Sequence, residues 1–545
     1  MLTNSRTRRL RGAPFMKLLY LTASLLAAIL LTSACRRQGG VFVIALSDPI
    51  RTIDPIGAAS TEAAPERVRV LIFNSLVKKD EKFDYVPELA SKIDRSEDGL
   101  SFTFALRDGV TFHDGRPFTS ADAKYTIDTL LASDFGKSAS FFAPSTNAAA
   151  KSAKGPSYVS SVEASDPHTL IIRLTAEWTG LLSNLVAIPM IPKDSYESQK
   201  THPLGTGPFK FKSYDSSQQV VDVEANPKYW DGPPGIPALR VRVISDMNAL
   251  QAELRAGRVD MAPLPTSLSP DAVNSFKQDQ NLQVLQFPGS NLNLLTFNVS
   301  APPLNDARVR RAICYTIDRE TMISKLLLGQ GKIAHSILPE ESWAFTEGTT
   351  YHYDPAEAKK LLDEAGFHDP DGDGPQMRFS KPLVFRIIGS STSAREYAGV
   401  IQNYLKEVGV PITIEAVEST THFTEIRRGN FEIAYGQWVG GNQDPIFYKD
   451  LFATSEIPTE TRASKNRSRY SNVALDPLLE EAVKTWDRQK AVSLYTKIQQ
   501  VVSNDAPIFP LWYQANMVIA KKSVGNIHVN ASGDWGFVKD LTIGK

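Results

Sequence analysis

Hydrophobic and polar residues alternate with a period of two from Ser101 to Leu106. Phe102, Phe104 and Leu106 fall on one side and Ser101, Thr103 and Ala105 on the other, the pattern of a half-buried strand. Asp108-Gly109 predicts a turn, Val110 and Phe112 resume the alternation, and Asp114-Gly115 turns the chain again. Thr119 or Ser120 then caps a helix with the acid Asp122 in its first turn. The stretch Asp98–Asp122 therefore predicts a two-stranded β unit that leads into a helix.

The same patterns divide the rest of the chain. Val41–Leu46 is short, apolar and β-branched, as in a buried strand, and Glu66–Leu76 places Val68, Ile72 and Leu76 on one helical face. Ala139–Ser157 is small and polar, which predicts a surface excursion. Thr169–Leu174, Val220–Glu224 and Arg240–Ile244 read as strands, and Ala249–Ala256 as a helix that Gly257 ends. Gly205-Thr206-Gly207-Pro208-Phe209 fits no phosphate-cradling pattern and predicts a tight turn into a strand.

A second half begins near Asn291. A strand there is followed by a helix that Asn305 or Asp306 caps. Asp354-Pro355-Ala356-Glu357 opens another helix, which Gly366 stops. Leu383–Ile388, Ser393–Val408 and Ile412–Val417 form a strand, helix, strand series, so this half is an α/β lobe with a mixed sheet. Asp476–Trp486 and Gln489–Ser503 are predicted helices, and Pro507–Tyr513 is an apolar strand.

Length and charge narrow the class. A chain of 545 residues exceeds one hydrophobic core and implies two or three domains. A formal net charge of zero, without a basic run interleaved with aromatics, excludes a nucleic-acid binder. Arg6, Arg8, Arg9, Arg11 and Lys17 precede the apolar run Leu18–Leu31 and the small residues before Cys35. That order is a secretion signal, complete even from Met16, and the run is short for a membrane span. The ending Thr32-Ser33-Ala34-Cys35 resembles a bacterial lipobox, with Thr32 where leucine is commonest. It implies residues 1–34 as signal peptide, a lipidated Cys35 and a tether over 35–40. Without residues 1–34 the formal charge is −5. Cys314 is then the one other cysteine, set among Val309, Ile313 and Ile317 at helical spacing, and reads as a buried inert thiol.

No catalytic signature of the zinc-protease, nucleophile-elbow, phosphate-loop or paired-cysteine kind is present, so the chain is not expected to be an enzyme and no cofactor is expected. His113, His168, His202, His335, His352, His368, His422 and His528 are scattered, with no two at helical i, i+4 spacing. Asp369, Asp371 and Asp373 before Gly374 match the first half of a calcium loop, but Ser380 holds the place of the closing glutamate and a solvated turn is the preferred reading. Tyr435–Phe452 mixes aromatics with glycines and polar residues after a strand, as in an exposed loop over a cleft.

The Asp98–Asp122 block, including Arg107-Asp108-Gly109 and Phe112-His113-Asp114-Gly115, resembles the signature of the family 5 extracellular solute-binding proteins. Further blocks follow in that family's order: Ile53-Asp54-Pro55, Gly205–Phe209, Asn226-Pro227-Lys228-Tyr229-Trp230, Gly257–Asp260, Leu304–Asp318, Tyr353–Leu362 and Pro507–Tyr513. The resemblance implies a mixed α/β, two-lobed clamshell with a small domain inserted in the first lobe. It divides the chain into lobe I (41–75, 186–288 and 515–545), an inserted domain (76–185) and lobe II (289–514). It also implies a monomeric receptor, lipid-anchored on the periplasmic or extracellular face, that passes an oligopeptide-like solute to the permease subunits of an ABC importer. A non-peptide solute such as an oligosaccharide, or a secreted lipoprotein with an enzymatic or chaperone role, are the alternatives.

In peptide-binding members of that family, an aspartate three residues after a tryptophan binds the peptide ammonium. Here Gly441 stands three residues after Trp438, and the next acid is Asp444. The expected ligand residues are therefore Trp438, Asp444, Tyr435, Asn442 and Gly441, with Asp444 either the substitute anchor or a structural residue.

Overall fold

In a computed structural model, residues 41–57, 60, 62–143, 154–370, 377–438, 444–459 and 464–544 are described. The expectations for Cys35, the signal and tether, Asp371, Asp373, Gly441, Asn442 and part of Ala139–Ser157 lie outside these residues. Val43–Lys545 forms one unit; the other, Met1–Phe42, has only Val41 and Phe42 among the described residues.

The larger unit is built around a sheet whose strands run, side by side, Ile412–Val417, Leu383–Ile388, Ile433–Trp438, Leu282–Phe297, Ile508–Lys521, Met261–Pro263, Val41–Leu46, Ala238–Val243, Val220–Ala225 and Phe209–Asp215. The strand Gly331–Ile333 pairs separately with Ile508–Lys521. Parallel and antiparallel ladders coexist, as in Leu383–Ile388 beside Ile412–Val417 and Leu282–Phe297 beside Ile508–Lys521.

Those last two strands are longer than their local patterns predict. Leu282–Phe297 starts well before Asn291, and Ile508–Lys521 continues beyond Tyr513. Their outer halves pair Leu282 with Lys521 through Phe287 with Asn516, their inner halves Asn291 with Gln514 through Thr296 with Ile508. The register breaks between Phe287 and Asn291, where Pro288-Gly289-Ser290 interrupts the apolar pattern and hides the continuation. Gly289 lies so close to its neighbour that a Cβ there would sit 1.9 Å from the Gln514 carbonyl oxygen.

Separate cores flank this crossing. Leu250, Leu254, Phe276, Leu282 and Ile519 pack on one side. Phe297, Cys314, Phe385, Ile401, Tyr435 and Trp512 form a second core, and Leu292, Tyr448, Tyr495 and Tyr513 a third. Cys314 is free and fully buried, and burial pushes its thiol far above the ordinary range.

A second sheet holds the strands Ala90–Arg95, Ser101–Leu106, Thr169–Leu174 and Val159–Asp166 in that order. Phe102, Phe104 and Leu106 are buried, and Ser101, Thr103 and Ala105 half-buried. The second strand expected at Val110–Phe112 does not form. Ser101–Leu106 already has a neighbour on each edge, so the chain past Asp108-Gly109 keeps only the bridge from Thr111 to Pro117. The helix Ser120–Ala132 follows, and Thr119 donates from both its amide and its hydroxyl to Asp122.

The sequence blocks converge on Asn74, which is 4% exposed. Its side-chain nitrogen donates to Glu88 Oε1 at 2.9 Å and Tyr229 Oη at 3.0 Å. Its oxygen accepts from Thr206 Oγ1 and Trp230 Nε1, each at 3.1 Å. Arg107 stacks on Trp230, and His113 meets the Gly205 and Gly207 carbonyls. These blocks hold structure together.

Two predicted helices end early for tertiary reasons. The helix expected over Glu66–Leu76 is Ala63–Ile72: the Gly207 amide takes the Ile72 carbonyl, and a Cβ at Gly207 would lie 2.5 Å from the Ile72 carbonyl carbon. The helix expected over Asp476–Trp486 is Asp476–Ala482. Thr179 donates to the Val483 carbonyl from its amide and its hydroxyl, so Trp486 leaves the helical path. Among the described residues no helix is long and apolar enough to cross a membrane.

Candidate functional site

The segment read as an exposed loop, Tyr435–Phe452, is mostly ordered secondary structure. Ile433–Trp438 is a strand that pairs with Leu292–Phe297, and Phe447–Phe452 is a helix. Period two puts Tyr435 on the face that carries Ile433, toward Tyr397 and Trp512. Tyr435 is therefore a core residue, 7% exposed, and burial raises its phenol far above the usual value. Its hydroxyl donates to Asn293 Oδ1 at 2.5 Å, and Gln437 Nε2 donates to the same oxygen at 2.9 Å. Asn293 Nδ2 is buried without a hydrogen-bond partner.

Trp438 ends the strand, half-buried, with its ring 5.5 Å from that of Phe447. The structure brings Trp438 and Asp444 to the same end of the sheet; Gly441 and Asn442 lie outside the described residues.

Asp444 is 3% exposed. Its Oδ1 accepts from the Ile446 amide at 2.9 Å, so one oxygen shapes the turn into the next helix. Its Oδ2 lies 3.5 Å from Lys79 Nζ. Lys79 ends the short strand Val77–Lys79, which pairs with Tyr85–Pro87. Its ammonium sits 5.1 Å from the Tyr85 ring centroid and 5.9 Å from that of Phe83. Burial lowers the Lys79 pKa, and the Asp444 carboxylate opposes that shift more strongly than any other neighbour. Lys79 escaped the sequence reading, although period two places it on the same face as the buried Val77.

Other contacts join the same two regions. Arg488 pairs with Asp84 and covers the Trp343 ring at 3.8 Å. The Trp343 amide donates to the Lys82 carbonyl at 3.1 Å, and Trp486 reaches Phe102. A cavity of about 30 Å³ lies elsewhere, bounded by Arg319, His335, Tyr448, Gln499 and Phe509. It is inside one lobe and has room for little more than water. Among the described residues no three His, Cys, Asp or Glu side chains are grouped to hold a metal ion. Asp369 is described, without its proposed partners Asp371 and Asp373.

Residues 84–458 match the family described as bacterial extracellular solute-binding proteins, family 5, middle. The chain belongs to that family. Its fold is the mixed α/β, two-lobed fold of periplasmic binding proteins. This family 5 chain is 29% identical to heme-binding protein A of Haemophilus influenzae over 81% of each chain. It is 27% identical to the dipeptide-binding protein of Escherichia coli, over 86% of this chain and 88% of that one. The crystal structure of the ABC transporter substrate-binding protein CtaP from Listeria monocytogenes superimposes with a TM-score of 0.78. It is 26% identical, with 93% of this chain and 100% of that one covered.

Proposed function

We propose that this family 5 protein is the solute receptor of an ABC importer, capturing an oligopeptide-like solute between its lobes and delivering it to the permease. The match over residues 84–458 carries the receptor role. The dipeptide-binding relative and the ABC-transporter neighbour support the solute class and the partner. Lobes I and II, divided at 288/289 and 514/515, close by bending where the two long strands break register. Trp438 supplies an apolar wall for the solute, and Asn293 Nδ2, left without a partner, a donor beneath it. Cys35 tethers the receptor to the envelope membrane, and closure involves no covalent step.

The heme-binding relative favours a second reading, a non-peptide solute. One experiment separates the two. The full-length chain is purified from the envelope, denatured, and its released solute identified by mass spectrometry. Peptides in stoichiometric amount are expected; a sugar, tetrapyrrole or metal chelate overturns the peptide assignment and leaves the receptor role standing. Turnover of labelled peptides by the pure protein would overturn the receptor role itself.

A further inference from the structure

We infer that Lys79 occupies the ammonium position beside Asp444, so the solute presents an uncharged oxygen acceptor to this corner of the site, not an ammonium. For the identity of the cleft this rests on the receptor role proposed above; for the pairing it does not.

The two side chains come from opposite halves of the chain. Lys79 belongs to the hairpin Val77–Pro87, and Asp444 follows the strand that ends in Trp438. Their side chains are 7% and 4% exposed, so water screens neither. A carboxylate in such surroundings requires a cation. Among the described residues Lys79 is the one within ion-pair distance.

The corner is rich in donors and poor in acceptors. Lys79 Nζ carries three N–H groups and makes no hydrogen bond. Its 3.5 Å separation from Asp444 exceeds the about 2.7–2.9 Å of a charge-assisted bond. Tyr85 Oη, on the paired strand, is also buried without a partner. Asp80 and Asp84 act on the ammonium at longer range, and Asp84 is held by Arg488. A solute ammonium would add a second cation and three more donors against one carboxylate. To reach Asp444 it would have to expel Lys79 toward Phe83 and Tyr85, where no other carboxylate is in contact. An amide carbonyl or a hydroxyl oxygen instead accepts from Lys79 and Tyr85 and leaves the ion pair intact. The solute class is thus one whose end at this corner is blocked or lacks an amine.

The test uses the full-length chain and two arms. In the first, trialanine and N-acetyl-trialanine are titrated calorimetrically. Wild type is expected to bind the acetylated peptide at least as tightly, and Lys79→Ala to prefer the free amine by tenfold or more. In the second, thermal unfolding is followed in ethylammonium chloride against sodium chloride at equal ionic strength. Ethylammonium is expected to raise the Tm of Lys79→Ala and leave wild type unmoved. A wild-type preference for free trialanine of tenfold or more overturns the inference, as does equal stabilisation of wild type and variant by ethylammonium. If neither protein binds either peptide, the peptide assignment falls, while the ethylammonium arm still decides the role of Lys79. If Lys79→Ala does not fold, Lys79→Met fills the volume for the peptide arm, and the wild-type response to ethylammonium decides the second.

Discussion

Trp486 packs against Phe102, with ring centroids 5.0 Å apart and planes inclined at 52°. The contact joins the connector after the helix Asp476–Ala482 to the strand Ser101–Leu106 of the four-stranded sheet. Arg95 covers the same indole at 5.1 Å. Truncation removes a ring from an apolar contact and a cation–π partner together. Trp486→Ala is expected to cost about 2–4 kcal/mol, and Trp486→Phe to recover most of it. Differential scanning calorimetry gives the order of the three Tm values. An alanine variant as stable as wild type would remove this contact from the forces that join the two regions.

Asn74 satisfies four partners at once: Glu88, Thr206, Tyr229 and Trp230. Asn74→Ala strands these groups in the interior, at about 1–3 kcal/mol for each that finds no water. Asn74→Asp adds an acid opposite Glu88, whose pKa is already raised by burial. A raised carboxyl pKa means that the fold favours the protonated form. Stability then rises as pH falls through the raised value. The aspartate variant is expected to gain on wild type between neutral pH and about pH 5, read as Tm against pH. A variant curve parallel to wild type would refute the pairing.

Two histidines set an acid-side loss of stability. Burial lowers the His113 pKa from 6.5 to about 4. Burial, then Arg467 and Arg386, lowers His422 to about 4 as well. Between these values the unfolded chain binds the proton and the folded chain does not, so stability rises with pH. The contribution is complete above about 6.5 and is lost as pH falls toward 4. His113→Gln and His422→Gln are expected to flatten that part of the curve relative to wild type. Equal slopes in urea unfolding at pH 5 and 7 would show that neither ring stays neutral in the fold.

Gly289 marks the crossing between the lobes. The obstacle to a Cβ there is the Gln514 carbonyl oxygen, part of the partner strand's backbone. Gly289→Ala is expected to force the two long strands apart, to lower the Tm and to change the radius of gyration in X-ray scattering. Gly436→Ala is the control, because a Cβ at Gly436 meets nothing within 4 Å. Identical scattering and Tm for Gly289→Ala would show that the bulge tolerates a side chain.

Local patterns carried much of the fold because they depend on neighbouring residues. Alternation fixed Ser101–Leu106 and Leu383–Ile388, and caps fixed the starts at Thr119 and Asp354. Failures occurred where a distant group intervened. Leu282–Phe297 and Ile508–Lys521 were read in fragments because each passes from one core to another across Pro288–Ser290 or its partner stretch. Tyr435 resembled a ligand residue by its place among glycines, but Asn293, Tyr397 and Trp512 enclose it.

The sequence by itself determined the family, through blocks whose order is linear. It also determined the loss of the expected acid at Gly441, since the chain there either carries a carboxylate or does not. Only the tertiary structure decided what Asp444 faces. A carboxylate recruits whichever cation folding brings within a few ångströms, and Lys79 approaches from the opposite half of the chain at 3.5 Å. No local spacing encodes that approach. It follows from the hairpin Val77–Pro87 and the end of strand Ile433–Trp438 meeting in space.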